Sequence, residues 1–398
     1  MQIGEVASFQ NGYAFKSKDF VQDGKYKIIK IKELKDGKVR FFNDSASVNV
    51  DDERIIEKYI AEKGDVLFAL TGDPVNKNNP LSWVGRVSVY EDDQLALLNQ
   101  RVCKLVPKEG LNAKYIYYYF RVFDNFYALA SIAKGSASQA NISTKDIEAM
   151  EIALPSLNIQ NKIVSVLDSI EEKINQNNKI NKNLEQQAKA IFSNEFLTLE
   201  TLPDGWKQAS LIDIADYLNG LAMQKHRPTA DETGIPVLKI KELRQGCCDN
   251  NSELCSPSIK SEYIIHDGDV IFSWSGSLLV DFWCGGICGL NQHLFKVTSN
   301  KYNKWFYYAW TKHHLDRFIA VAADKATTMG HIKRDELSKA EVLIPNEADY
   351  KRIETLLQPI YDLIIANRIE NKKLAETRDT LLPKLMTGEI DISEVDYE

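Results

Sequence analysis

Two long stretches of the chain, Ser156–Phe196 and Asn346–Met386, carry apolar residues at helical spacing. Ile163, Leu167, Ile170, Ile174, Leu184 and Ile191 in the first correspond, without a gap, to Ile353, Leu357, Ile360, Ile364, Leu374 and Leu381 in the second. Steps of three and four residues keep such positions on one face of a helix. Lys, Glu, Asn and Gln fill the positions between, which suits a solvated face. Neither stretch contains glycine, but the second carries Pro359 and Pro383, where a kink or break is expected. At about 1.5 Å per residue each helix would run roughly 60 Å. That length is typical of a coiled coil and too great for a compact domain.

The remaining pattern mixes two periods. "KIIKIKEL", "GDVLFAL" and "GDVIFSW" read as strands, and "KYIYYYFRVFDNFYALA" and "NKWFYYAWTKHHLDRFIA" as helices. Glycines before Asp65 and Asp269 are turn signals leading into strands. The whole series occurs twice. "GDVLFALTG" (Gly64–Gly72) returns as "GDVIFSWSG" (Gly268–Gly276), and the Asn11–Gly12 pair returns at Asn219–Gly220. "IIKIKELKDG" (Ile28–Gly37) returns as "VLKIKELRQG" (Val237–Gly246), and "LNQRVCKL" (Leu98–Leu105) as "LNQHLFKV" (Leu290–Val297). "NISTKDIEAMEIALP" (Asn141–Pro155) returns as "HIKRDELSKAEVLIP" (His331–Pro345). The offset drifts from 208 to 190, so the copies differ by insertions, which normally sit in loops.

The expected fold is α+β: two domains of mixed strands and helices, each followed by a long helix. The boundaries fall at 1–155, 156–200, 201–345 and 346–398. If the helices bury their stripes against each other in antiparallel fashion, they form a coiled coil and relate the domains by a pseudo-twofold axis. Parallel pairing would need a long connection that the sequence lacks. The second copy opens with "LPDGWKQASLIDIADYLNG", the first only with "MQIGEVASFQNG". The C-terminal tail "TGEIDISEVDYE" is therefore expected to pack on the first domain. Such a pair of helices would hold two recognition surfaces at a fixed separation. Dimeric proteins read DNA half-sites spaced about 34 Å apart in this way.

Composition narrows the class. With 44% hydrophobic and 26% charged residues among 398, the chain is ordinary globular material. No apolar run approaches a membrane span. The N-terminus lacks the basic-then-apolar pattern of a signal peptide, which predicts a cytoplasmic protein. Cys103, Cys247, Cys248, Cys255, Cys284 and Cys288 are then expected to be reduced. Their spacing, "CGGIC" included, is poor for zinc, and they are read as small apolar fillers, with no metal expected. Net charge is −7, which argues against a generally cationic surface. Met1–Arg40 is an exception, with nine Lys or Arg, Lys16 among them, against five acids; taken alone, a solvated strand-and-loop surface explains it better than a binding site does.

Catalytic motifs are missing. There is no phosphate loop, dinucleotide turn or nucleophile elbow. "DPVN" at Asp73–Asn76 lacks the second proline and the aromatic of an amino-methyltransferase motif. His313 and His314 fall in a helical run and read as surface or helix-end residues. The weight moves to binding. "AKGSASQANIS" (Ala133–Ser143) and "ADKATTMGHIKR" (Ala323–Arg334) occupy matching places before a helix. They offer Lys134, Ser136, Gln139 and Asn141 in one copy, and Lys325, Thr327, Thr328, His331, Lys333 and Arg334 in the other. Gln and Asn can pair with adenine, Arg and Lys with guanine, and hydroxyls with phosphate. An ordinary loop capped by Asn141 or Ser143 remains the alternative. Arg101 and His293 stand at matching positions in the "LNQ" turns, and Lys225 and Arg227 follow the second Asn–Gly pair. Trp274 and Trp283 read as packing residues.

Taken in order, these motifs closely resemble the specificity (S) subunit of type I restriction–modification systems, over essentially the whole chain. The resemblance rests on "NGYAFKSKDF", "GDVLFALTG", "GSASQANIS" and "ALPSLNIQNKIVSVLDSIEEKI", and on "LPDGW", "GDVIFSWSGS", "CGLNQHLFKV" and "TTMGHIKRDELSKAEVLIP". It implies two target-recognition domains, each reading half of a split sequence in double-stranded DNA. It also implies helical regions that set the spacer and dock two modification (M) subunits, which bind S-adenosylmethionine and methylate adenine. Restriction (R) subunits would join to cleave unmethylated DNA. The S subunit itself would carry neither catalytic residues nor a cofactor. Ile163, Leu167, Ile174, Ile353, Leu357 and Ile364 are then the candidate partner-binding residues. The rival readings are a single-chain enzyme that modifies DNA itself and a structural coiled-coil scaffold.

Overall fold

The computed structural model describes residues 1–76, 79–136, 138–324 and 334–394. They form two compact units, Met1–Ile170 with Thr377–Glu398, and Glu171–Glu376. The division falls inside both long helices, Leu157–Phe192 and Glu347–Thr387.

The first unit is built on a six-stranded sheet in the order Ala7–Asn11, Val102–Pro107, Val66–Ala69, Val87–Val89, Lys38–Val39, Leu34–Lys35. A four-stranded sheet (Ala96–Leu98, Tyr26–Ile29, Ser47–Val48, Phe20–Val21) and a three-stranded one (Lys134–Ser136, Gln139–Asn141, Thr71–Gly72) lie in the same unit. The second unit has two four-stranded sheets. One runs Asp216–Asn219, Leu294–Thr298, Val270–Ser273, Leu279–Phe282. The other runs Leu254–Cys255, Ile235–Leu238, Cys288–Leu290, Ile264–Ile265.

The duplicated motifs have matching physical roles. The "GDV" aspartate closes the turn into a fully buried strand, accepting from Glu62 N (2.7 Å) in one unit and His266 N (2.9 Å) in the other. The same carboxylates pair with Lys104 and Lys296 at 3.0 and 2.9 Å, on side chains less than a fifth exposed. The Asn–Gly pairs are explained by crowding. A Cβ on Gly12 would collide with the backbone carbonyl of Asn99, and one on Gly220 with that of Asn291. Only glycine lets the chain pass beside the "LNQ" turn there.

A third correspondence is polar and buried. Glu33 and Glu242 are 0% and 3% exposed. Each accepts a backbone N–H three residues upstream, from Lys30 (3.1 Å) and Lys239 (3.3 Å). Each also accepts a serine hydroxyl, from Ser45 (2.7 Å) and Ser252 (3.2 Å). Beside them Lys32 and Lys241 pair with Asp44 and Asp249 at 2.9 and 3.1 Å.

The long helices depart from expectation in two ways. Glu347–Thr387 is continuous through Pro359 and Pro383, so there is no break. Each proline forfeits one backbone hydrogen bond, but Leu357 and Tyr361 around the first, and Leu382 and Leu385 around the second, are buried and hold the helix in place. The apolar stripe is also used differently. Ile163 and Leu167 belong to the core of the first unit, together with Leu382, Leu385, Met386 and Ile392. Ile353, Leu357 and Ile364 belong to the core of the second, with Phe192, Phe196, Trp206 and Trp310. These five side chains are at most 3% exposed, so they face their own domain core and are not open to a partner; Ile174 is only half-buried. The tail packs as expected: Ile392 is buried in the first unit's core and Lys162 Nζ donates to Ser393 O at 2.7 Å.

Within the second unit the two helices are joined by side-chain amides. Asn177 donates to Glu370 Oε2 (2.7 Å) and Asn371 Oδ1 (2.9 Å). Asn181 donates to Ile364 O (3.3 Å) and accepts from Asn367 Nδ2 (2.8 Å). Arg368 reaches Glu185 at 2.9 Å and Arg352 reaches Glu195 at 2.6 Å. Partner numbers fall on one helix as they rise on the other, so the segments run in opposite directions. Asn177, Asn181 and Asn367 are under a tenth exposed, contrary to the solvated face their polarity suggests.

Among the described residues no helix is long and apolar enough to cross a membrane. The amide network yields a test. Asn367→Leu strands the Asn181 amide oxygen and should cost about 1–3 kcal/mol in urea unfolding. Asn181→Leu combined with Asn367→Leu should recover most of that loss, because a buried polar pair replaced together by apolar groups is often neutral. Additive losses in the double variant would show that the two amides do not depend on each other.

Candidate nucleic-acid interface

Three distant stretches converge in the first unit. The hairpin Lys134–Ser136 and Gln139–Asn141 adds to the short strand Thr71–Gly72 at the end of "GDVLFALTG", with Asn141 opposite Thr71 and Ala140 opposite Gly72. Thr71 Oγ1 donates to Asn141 Oδ1 at 2.8 Å. Leu70 N donates to Arg101 O (2.9 Å) and Ile142 N to Leu70 O (3.0 Å). The backbone of Leu70 thus ties the hairpin to the "LNQR" turn. Ser143 caps the following helix, exchanging bonds with Asp146, whose carboxyl is held below the usual range by the Ser143 hydroxyl and N–H.

Around this junction Arg101, Lys134, Ser136 and Gln139 are exposed, while Asn141 is half-buried with its oxygen engaged by Thr71. Two cations, a hydroxyl and a carboxamide thus rim one edge, a donor set suited to phosphates and base edges. Lys16 is exposed just before the turn Ser17–Asp19 that leads to the edge strand Phe20–Val21, three residues after Tyr13, whose carbonyl accepts from Gln100 N at 2.9 Å. Thr71 was not singled out from sequence; its place at the end of a repeated motif was the available signal.

The second unit presents a related corner. Trp274 Nε1 donates to Asn219 Oδ1 at 3.0 Å, and its ring lies 6.4 Å from that of His293. His293 N donates to Asn291 Oδ1 (3.2 Å), and Gln292 Nε2 lies 3.3 Å from His293 Nε2. Here a tryptophan and a histidine replace Leu70 and Arg101. Thr327, Thr328, His331 and Lys333, with Lys325, lie outside the described residues. Arg334 is exposed just before the helix Asp335–Ser338. Lys225 and Arg227 are exposed on the segment that follows Leu221, with Arg227 3.4 Å from Glu253. Trp283 is fully buried and donates to Gly286 O at 2.6 Å.

Other candidate chemistry resolves into packing. His314 is buried against Trp310, its Nε2 lies 2.7 Å from Glu341 O, and burial lowers its pKa. All six cysteines are free thiols, and Cys248 and Cys288 lie 3.4 Å apart between sulfurs. Among the described residues no group of three His, Cys, Asp or Glu is arranged to hold a metal.

Residues 1–186 and 203–376 each match the type I restriction modification DNA specificity domain. The chain belongs to this family. It is 27% identical over 322 residues to the type I restriction enzyme MjaIX specificity subunit of Methanocaldococcus jannaschii, covering 75% of this chain and 73% of that one. It is 18% identical over 341 residues to the HindI specificity subunit of Haemophilus influenzae, covering 67% and 74%. The crystal structure of a type I restriction–modification S subunit from M. genitalium superposes with a TM-score of 0.60 at 15% identity, over 99% of this chain and 96% of that one. That likeness is one of fold.

The junction at Thr71 is directly testable. Thr71→Val keeps the shape but removes the hydroxyl, at a cost of about 1 kcal/mol. Amide exchange at Gly72 and Ala140 should then quicken roughly fivefold while the sheet core keeps its protection. Unchanged exchange would mean the hairpin is held without that bond.

Proposed function

We propose that each unit reads one half of a bipartite, asymmetric DNA target, the first through the edge formed by Arg101, Lys134, Ser136 and Gln139. The chain is the specificity subunit of a type I restriction–modification system, a family in which methylation and cleavage reside in other subunits. The observation that carries the reading is the convergence at Leu70–Thr71: a repeated strand delivers its end to a hairpin and a turn that both present polar side chains outward. The matching edge of the second unit carries Trp274, His293 and Arg334, and Lys16, Lys225 and Arg227 supply outlying phosphate contacts. Because the two edges differ in chemistry, the two half-sites differ in sequence.

In this reading the recognition domains are 1–155 and 201–345. The two long helices form an antiparallel coiled coil that relates the domains by a pseudo-twofold axis and fixes the spacer. Support comes from the sequence repeat and the asparagine-linked helices of the second unit. Two methyltransferase subunits dock along the helices and restriction subunits join them, in the cytoplasm where the DNA lies. Docking uses side chains the helices leave exposed, such as Ile180, Leu356 and Leu363, rather than the stripe that fills the cores.

Exchanging residues 1–155 for those of a relative tests the assignment. Methylome sequencing of a host carrying the chimera and its M subunit should show one half-site replaced, with the other half-site and the spacer kept. A change in both half-sites together would refute it. Within the first edge, Gln139→Ala should cost about 1–3 kcal/mol of discrimination at one base pair. A loss spread evenly over all sequences would assign Gln139 to the backbone instead.

A further inference from the structure

The buried Glu33 and Glu242 nodes place a second matched feature on the surface. Two residues after each glutamate comes a cation, Lys35 in the first unit and Arg244 in the second. Both are exposed, and among the described residues neither pairs with a carboxylate. The neighbouring Lys32, Lys38, Lys239 and Lys241 have acidic partners. The backbone carrying each cation is tightly held. The glutamate bonds to a serine and to a backbone N–H, and the residue between glutamate and cation, Leu34 or Leu243, is buried.

Each cation also lies beside its unit's recognition edge. In the second unit Arg244 lines a cavity of about 490 Å³ with Ile240, Lys241, Gln245 and Ser277. Ser277 follows directly on the "SWSG" turn that carries Trp274, and Ile240 Cδ1 lies 3.7 Å from where a Cβ on Gly276 would sit. In the first unit the segment leading into Lys35 flanks Arg86, which donates to Ile31 O at 3.2 Å. Arg86 O in turn accepts from Ala69 N at 2.9 Å, two residues before Thr71 of the recognition edge.

We infer that Lys35 and Arg244 are matched phosphate contacts, one per unit, which seat duplex DNA without reading its sequence. The inference rests on the reading that each unit binds DNA. Its own support is the pattern of likeness. Charge is kept at the cation position, whereas the next residue is Asp36 in one unit and Gln245 in the other. Two different half-sites share no base order but do share a phosphodiester backbone. A position that keeps only its charge suits the shared part. A rigidly held cation beside the reading edge fixes the register of the duplex so that the variable side chains meet the right base pairs.

The test uses the full chain assembled with its methyltransferase partner and a random-sequence duplex, with binding followed across a salt series. Lys35→Ala and Arg244→Ala should each weaken binding to all sequences by the same factor. Each should also flatten the slope of log affinity against log salt by about 0.9, the value for one lost phosphate contact on B-DNA. Arg244→Lys should restore the slope, and the double alanine variant should lose both increments. Melting should not change, because both side chains are exposed. An unchanged slope would overturn the assignment. So would a loss confined to one base pair of the methylated target, which would make Arg244 a base reader. A wild-type complex with no affinity for any duplex would fail differently, removing the DNA-binding reading together with the inference built on it.

Discussion

The half-buried ion pairs Asp65–Lys104 and Asp269–Lys296 anchor each unit. Each joins the turn before one central strand to its antiparallel neighbour, and the same aspartate closes that turn through a backbone N–H. The strands they start, Val66–Ala69 and Val270–Ser273, are buried throughout, with no freedom to shift without flipping their side chains. Register fixed at one end is therefore delivered at the other, where Thr71 meets the hairpin and Trp274 meets His293. Losing either charge alone would cost more than the pair contributes, because the survivor would stay in a largely dehydrated position. The geometry of the rim thus depends on electrostatics at the opposite end of the strand.

Much of this was legible in the sequence because it is periodic or repeated. The long helices follow from spacing, and the duplicated units from five ordered matches. What escaped was whatever depends on which surface a face meets. Asn177 and Asn181 look solvated in a helical pattern, yet they are buried because a second helix carrying Asn367 lies against them. Ile163 and Ile353 look like a seam between helices or toward a partner, yet the globular cores claim them. Pro359 looks like a break, but burial on both sides of it outweighs one missing backbone bond.

The candidate interface was legible only in outline. The hairpin stood out because its composition is polar and its place repeats. Its link to Thr71 and Arg101 could not be read, because strand addition between residues seventy apart leaves no local signature. Lys35 and Arg244 are inconspicuous in the sequence for a different reason. A lone surface cation looks bland until the backbone carrying it is seen to be held by a buried glutamate. The glutamates beneath them were equally inconspicuous, since an acidic residue next to a lysine normally reads as exposed.

The first unit is assembled from two separated parts of the chain, Met1–Ile170 and Thr377–Glu398. During synthesis its sheets leave the ribosome early, but the residues that complete the core around Ile163 and Leu167 come last. Everything belonging to the second unit is made before Leu382, Leu385, Met386 and Ile392 appear. The domain begun first is therefore the one finished last. Its core stays incomplete through the translation of the whole second unit, an interval in which chaperones or an early-bound partner have the most to shield.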